Sequence, residues 1–227
     1  ASFLSGKYEV LWLIEIAAYC AVNCYALISG YVGIYGKYRY TNWILLWLRV
    51  LCYSVGITAV FRIFFSGTVG RYEWKCAFFP TSMEQYWYFT AYTGLFVLIP
   101  LLNVFIKHAS RQQLKLTVIL SVVLFSILPE IFRRDIFITK EGYSPIWMLV
   151  LYIIGGYIGK YQSWKKKSKR YLTCLYGVCI LITWASKFII EHHRFATAGD
   201  TNGTTFLVSY TSPTILMAGI ALVILFS

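Results

Sequence analysis

Seven long runs of apolar residues make up most of this chain and constrain how it can fold. A helix rises about 1.5 Å per residue, so roughly 18 to 20 apolar residues are needed to cross about 30 Å of hydrocarbon. The pattern predicts an all-α, polytopic membrane helix bundle that forms a single domain over residues 1–227. The about seven predicted transmembrane helices cover residues 9–35, 42–66, 86–106, 113–130, 144–161, 170–190 and 206–227.

The composition agrees with a membrane protein and argues against a soluble domain. Hydrophobic residues make up 59% of the chain and charged residues 13%, whereas soluble domains carry about 25% charged residues. The net charge of +12 could suggest nucleic acid, but the Lys and Arg residues lie between the apolar runs. We therefore expect the lipid bilayer as a partner and no nucleic acid.

The basic residues are concentrated in alternate loops. Loops 36–41, 107–115 and 160–170 hold eleven Lys and Arg and no acidic residue, while the intervening loops hold six bases and six acids. Cytoplasmic loops of membrane proteins carry an excess of Lys and Arg. The alternation predicts that the three basic loops are cytoplasmic, with Ala1 outside the membrane and Ser227 at its inner face.

Five ionisable residues lie inside the apolar runs, where a charge is costly and usually faces the bundle interior. Glu15 and Arg49 are the deepest of them, which favours a functional role or pairing within the bundle as much as simple packing. Arg62, Glu130 and Lys187 lie near predicted helix ends, where extension towards the headgroups or ion pairing at the outer face explains them.

Motifs of soluble enzymes are absent from the sequence. It contains no nucleotide-binding glycine loop, no HExxH and no GxSxG. His192 and His193 are adjacent in a predicted outer loop and fit no common zinc spacing, so no metal site is expected. Five of the six cysteines lie in apolar runs, which implies no disulfide framework.

Five segments, in order along nearly the whole chain, carry a family resemblance. They are VNCYALISGY at 22–31, WLRVL at 47–51, YWYFTAYTGLFVLIPLLN at 86–103, IWMLVLYIIGGYI at 146–158 and SYTSP at 209–213. The first resembles the V-D-x-F-F-x-x-S-G-F signature of membrane-bound acyltransferase family 3. The others are similar to its arginine-bearing helix, its W-F-x-x-x-Y helix and two stretches typical of Gram-positive members.

The resemblance implies an enzyme of the bacterial plasma membrane with about ten helices in the intact protein. Such an enzyme moves an acyl group, usually acetyl, from cytoplasmic acyl-CoA to a hydroxyl of a cell-envelope glycan or lipid-linked acceptor. Acyl-CoA is then a co-substrate, and no permanently bound cofactor is implied.

Residue-by-residue comparison with the family suggests site residues. Arg49 corresponds to the arginine expected near the donor phosphates, because a guanidinium binds phosphate well. The pocket candidates are Asn23, Ser29, Tyr88 and Tyr92, with Glu15 added for its depth in the first apolar run. Asn23 stands where the family has an acid, so hydrogen bonding replaces any ionic role there. Helix packing explains each pocket candidate equally well.

The sequence departs from the family at its start. The family's first helix carries an arginine and, about ten residues later, a histidine that acts as catalytic base. The first helix here corresponds to the family's second. We therefore expect the chain to be truncated at both ends, with the catalytic histidine upstream of Ala1 and the chain inactive alone.

Two other functions fit the same sequence. A transporter or flippase for an envelope precursor would explain Glu15 and Arg49, although no paired broken helices or repeat halves are visible. A sensory membrane domain fused to another module would also agree with the family's fusions.

Overall fold

The computed structural model describes residues 6–65, 67–162, 168–199 and 206–227, and this part of the chain is helical without any β-strand. The all-α class is therefore confirmed. The helices are α1 (Gly6–Tyr19), α2 (Ala21–Gly33), α3 (Tyr40–Phe64), α4 (Arg71–Phe78), α5 (Trp87–His108), α6 (Arg111–Val122), α7 (Leu128–Phe132), α8 (Pro145–Tyr161), α9 (Lys169–Ala198) and α10 (Pro213–Leu225).

Each of the seven predicted segments contains a helix, but the helices differ in length. Five helical stretches are long and apolar enough to cross a membrane: Gly6–Gly33, Tyr40–Phe64, Trp87–His108, Arg111–Phe132 and Lys169–Thr197. Helices α8 and α10 have 17 and 13 residues, fewer than the roughly 18 needed to span the hydrocarbon. The protein is multi-pass, and the number of seven full spans stays a prediction.

Three local features differ from the sequence-based expectation. The first predicted helix is interrupted at Cys20, between α1 and α2. The loop predicted around residues 71–78 forms α4, whose start is capped because Gly70 N–H donates to Glu73 Oε2 at 2.7 Å. Helix α9 continues to Ala198, so His192 and His193 are helical and not in a loop. Lysines 165–167 lie outside the described residues.

Helix α8 forms the centre of the bundle and packs against α2, α5 and α6. Its contact with α2 is a close approach of two backbones. A β-carbon at Gly155 would overlap the carbonyl oxygen of Leu27, and one at Gly30 would overlap the carbonyl oxygen of Tyr152. Small residues allow this approach, which maximises van der Waals contact between membrane helices.

Hydrogen bonds inside the core join three helices. Tyr152 on α8 is fully buried and donates to Asn103 Oδ1 on α5 at 2.8 Å. Asn103 Nδ2 donates in turn to the carbonyl oxygen of Gly33 on α2 at 3.2 Å. Helix α10 packs against both α2 and α9, and α9 also contacts α1.

The described parts of the three basic loops lie at the same end of the bundle. Tyr35, which follows α2, donates to Gly159 O near the end of α8 at 2.9 Å. Lys160 Nζ donates to the carbonyl oxygens of Ile106, Lys107 and Ala109 at 2.7 to 3.0 Å. The ammonium group thereby satisfies carbonyls that the end of α5 leaves unpaired. Helices α2, α5 and α8 consequently run in the same direction.

Helix α3 lies at the edge of the bundle. Its main helix contact is the short α4, and Ser54 is its buried residue. Most of the surface of α3 is therefore open to lipid or to another polypeptide.

Candidate functional site

Three predicted pocket residues lie along the surface where α2 meets α5, here called the groove. Tyr25 and Ser29 are one turn apart on the same face of α2, and Ser29 Oγ donates to Tyr25 O at 2.8 Å. The Tyr25 ring meets Tyr88 on α5 edge-on at 6.3 Å. Tyr88 stacks along α5 on Tyr92, with ring centroids 6.2 Å apart. Ser29, Tyr88 and Tyr92 are all half-buried, so each remains partly accessible on this surface.

The groove continues along α5 to the start of α3. Tyr92 contacts Phe96 with ring centroids 6.4 Å apart, and Tyr38 OH donates to Phe96 O at 3.0 Å. Trp43, in the first turn of α3, donates from Nε1 to Thr93 Oγ1 at 3.4 Å. These contacts hold α3 beside the groove.

Arg49 lies on α3, six residues beyond Trp43 and therefore roughly 9 Å further along the helix. Its side chain is exposed. In the described ranges no hydrogen bond or ion pair joins Arg49 to another residue. The guanidinium is available for an external anion, but the structure does not bring it into contact with Ser29, Tyr88 or Tyr92.

Asn23 lies in the core and does not line the groove. It is fully buried. Its Nδ2 donates to Tyr210 O at 2.8 Å, and its Oδ1 accepts from Trp147 Nε1 at 3.1 Å. The side chain therefore fixes the segment before α10 against α8, and both of its polar atoms already bind protein groups.

Four aromatic rings form a cluster at the end of the bundle opposite the basic loops. Tyr19 stacks on Tyr210 at 4.4 Å, and Trp87 lies 4.4 Å from Tyr143 and 5.6 Å from Tyr210. Tyr210 precedes α10. Burial, followed by the neighbouring Tyr143, raises the pKa of Tyr210 to about 12.

Glu15 is exposed on the surface of α1. Its charge makes a small further contribution to the raised pKa of Tyr210, which places it near the aromatic cluster. The described residues provide no hydrogen bond or ion pair to its carboxylate. A carboxylate exposed on a membrane-spanning helix is costly in lipid, so this position requires water or a polar partner.

A buried polar cluster between α1 and α9 was not predicted as a site. Lys187 and Glu191, 2% and 1% exposed, form an ion pair one helical turn apart. Tyr8 OH donates to Glu191 Oε1 at 2.7 Å, and the Lys187 ammonium lies 4.1 Å from the centroid of the Trp12 ring. Sequence reasoning allowed ion pairing for Lys187. The i,i+4 spacing to Glu191 could have identified its partner.

Glu9 lies in the same region, but unlike Lys187 and Glu191 it forms no hydrogen bond. It is 8% exposed, and neither carboxylate oxygen has a hydrogen-bond partner. Its Oε1 lies 4.0 Å from His192 Nδ1, which itself bonds Phe188 O at 2.9 Å. Glu9 occupies the first predicted helix six residues before Glu15, and sequence reasoning singled out the wrong one of the two as the buried acid.

These features define the class of the protein. It is a multi-pass helical membrane protein with a hydroxyl-bearing groove between two parallel helices, one end rich in Lys and Arg, and an aromatic cluster at the other end. In the part of the chain that the structure describes, no three His, Cys, Asp or Glu side chains are grouped to hold a metal ion.

Comparison with known families then identifies the protein more closely. A family sequence model described as an acyltransferase domain matches residues 2–227. The chain therefore belongs to acyltransferase family 3 and is a membrane acyltransferase. No curated protein and no solved structure matches the chain.

Proposed function

We propose that the protein transfers an acyl group, acetyl in the simplest case, from acyl-CoA to a hydroxyl of a cell-envelope glycan or lipid-linked acceptor. The observation that carries this proposal is the family match over residues 2–227. In the reaction an ester C–O bond forms and the thioester C–S bond breaks. The proton of the acceptor hydroxyl ends on the released CoA thiol, so no further cofactor is required.

The two substrates would reach the protein from opposite ends. Loops 36–41, 107–115 and 160–170 would face the cytoplasm of a bacterial cell, which puts Ala1 outside the plasma membrane and Ser227 inside. Support comes from the basic character of these loops and from the contacts of Lys160 and Tyr35, which bring their described parts to one end. Acyl-CoA is made in the cytoplasm and would enter there.

Arg49 would bind the phosphates of acyl-CoA. Its side chain is exposed on α3, and α3 begins beside the groove at the Trp43 to Thr93 hydrogen bond. A guanidinium makes charge-assisted, bidentate bonds to phosphate. The acyl chain could then lie along the groove beside Ser29, Tyr88 and Tyr92. The two tyrosine hydroxyls can donate to a thioester carbonyl oxygen, whereas Ser29 Oγ already donates to Tyr25 O.

The reaction also needs a base, because a sugar hydroxyl is a weak nucleophile. The base must lie roughly 3 Å from the hydroxyl oxygen to accept its proton. His108 is exposed at the end of α5, and His192 and His193 lie on α9, so none of them reaches the groove. The base in the proposed reaction would therefore be a group other than these three histidines.

Substitution of Arg49 tests the donor site. Arg49→Ala in the intact membrane protein should weaken acyl-CoA binding at least tenfold, because the phosphates lose their cationic partner. Isothermal titration in detergent with a non-hydrolysable acyl-CoA analogue measures this. Arg62→Ala is the matched control, since Arg62 is also exposed on α3 but lies at its other end. Equal donor affinity in the wild type and in Arg49→Ala would remove the assigned role.

A further inference from the structure

A polar cleft opens at the end of the bundle opposite the basic loops. This outer cleft lies between the end of α7, the loop 133–141 and residues 206–211. Its volume is about 210 Å³, below the roughly 300 to 1,000 Å³ of pockets that enclose a whole drug-sized ligand. The outer cleft therefore suits one unit of a larger molecule that continues into solvent.

A chain of hydrogen bonds runs through the outer cleft. Ser209 Oγ lies 3.3 Å from Glu130 Oε1, to which it donates, and 3.1 Å from Thr211 Oγ1. Ser126 fixes the position of Thr211, because the buried Ser126 hydroxyl donates to the Thr211 carbonyl oxygen at 2.6 Å. The cleft thus presents a carboxylate and two hydroxyls held in fixed positions. Such groups both donate to and accept from a ligand rich in hydroxyls.

The backbone around the outer cleft is unusual in two ways. Ser126 lies in a π-helical turn, Val123–Ile127, next to Pro129, whose missing N–H leaves a carbonyl one turn earlier without its usual partner. Five non-glycine residues with positive φ line or adjoin the cleft: Arg133, Ile138, Lys140, Glu141 and Leu207. Both π-helical turns and such backbone strain occur often at functional sites.

The charged side chains that line the outer cleft favour an uncharged ligand. Three acids and two arginines line the outer cleft. Asp135 already accepts from the backbone N–H groups of Thr139 and Lys140 at 2.8 and 2.6 Å. A polyanionic ligand would meet Glu130 and Glu141, and a cation would meet Arg133 and Arg134. The Arg133 guanidinium lies over the Phe206 ring at 5.0 Å. A neutral, polyhydroxylated ligand avoids both repulsions.

The outer cleft is connected to the groove through rings in contact. Thr211 follows Tyr210 in the chain, and Tyr210 lies 5.6 Å from Trp87. Trp87 is 5.6 Å from Tyr88, which borders the groove. Because Tyr210 is buried and stacks on Tyr19 at 4.4 Å, these rings fix the cleft and the groove relative to each other and do not form an open path between them.

We propose that the outer cleft binds a neutral sugar unit of the acceptor. The part that this sugar plays in catalysis rests on the proposed function, whereas its binding does not. Glu130, Ser209 and Thr211 hold the sugar hydroxyls, and the Phe206 ring with Arg133 forms one wall. The site selects neutral glycans over polyanionic polymers such as glycerol phosphate chains.

Binding of soluble glycans to the purified full chain in nanodiscs tests the proposal. The probes are three neutral tetrasaccharides, chitotetraose, cellotetraose and maltotetraose, with poly(glycerol phosphate) as the anionic comparison. Saturation-transfer NMR and isothermal titration should show binding of at least one neutral probe and at least tenfold weaker binding of the anionic one. Glu130→Gln and Ser209→Ala should each reduce the neutral affinity at least tenfold.

Glu73→Gln is the control, because Glu73 caps α4 outside the outer cleft and glutamine retains an acceptor oxygen. If the Glu130→Gln variant is not monodisperse, the affinity of the Ser209→Ala variant for the neutral probe tests the proposal on its own. Absence of neutral binding, preference for the anionic probe, or affinity unchanged in Ser209→Ala would each overturn the proposal. If the protein binds the sugar but not acyl-CoA, the sugar subsite stands and the proposed reaction does not. If it binds acyl-CoA but none of the sugars, the proposed reaction stands and the subsite does not.

Discussion

At the scale of residues, the protein buries a charged pair together with a carboxylate that accepts no hydrogen bond. Lys187 and Glu191 satisfy each other, and Tyr8 and Trp12 complete their surroundings. Glu9 lies beside them with both oxygens unbonded. Removal of one member of a buried pair leaves an uncompensated charge, which costs more free energy than the intact pair contributes.

Lys187→Met should therefore lower the free energy of unfolding by about 3 to 5 kcal/mol. The double variant Lys187→Met/Glu191→Leu should recover most of this loss, because no lone charge remains. Thermal unfolding in detergent micelles, followed by the helical circular dichroism signal, measures both. A double variant as unstable as Lys187→Met would show that packing and not charge pairing determines the stability of this region.

At the scale of elements, the contact between α2 and α8 sets the position of the groove. The two helices approach closely at Gly30 and Gly155, and the hydrogen bonds of Tyr152 and Asn103 then tie α5 to the same pair. Because α2 and α5 run in the same direction, the first half of α2 lies beside the first half of α5, where Tyr25 meets Tyr88. A small separation of α2 from α8 would therefore change the width of the groove.

Gly155→Ala should destabilise the protein by about 1 to 3 kcal/mol, because the new methyl group meets the rigid backbone of Leu27. Gly177→Ala on α9 is the control, since open space surrounds that position, and alanine should leave stability unchanged or raise it by about 0.5 to 1 kcal/mol. Chemical unfolding in mixed micelles gives both values. Equal stability of the two variants would contradict the close approach.

At the scale of the whole molecule, the bundle has two chemically different ends. One end collects Lys160, Arg111 and their neighbours, and the other holds the aromatic cluster, the outer cleft and Glu130. This polarity was predicted from the alternation of basic loops, because the distribution of charges along the sequence can be read without knowledge of the packing. The helices were predicted for a similar reason, since run length alone determines whether a segment can span lipid.

The remaining features depend on contacts between distant parts of the chain. Tyr8 and Glu191 are 183 positions apart, so no local sequence pattern predicts their hydrogen bond. Asn23 was predicted to line a pocket, yet it bonds Tyr210 and Trp147 in the core, because a buried amide must find partners wherever the helices meet. The roles of Arg49, Ser29, Tyr88, Tyr92 and Glu15 in binding stay predictions.

The most direct test of the central claim is acyl transfer by the protein in sealed membrane vesicles. Inverted vesicles expose the end with the basic loops to membrane-impermeant, radiolabelled acetyl-CoA. We expect labelled ester on a glycan acceptor in inverted vesicles and none in right-side-out vesicles. Labelling in right-side-out vesicles alone, or movement of an envelope precursor across the membrane without any ester formation, would contradict the account.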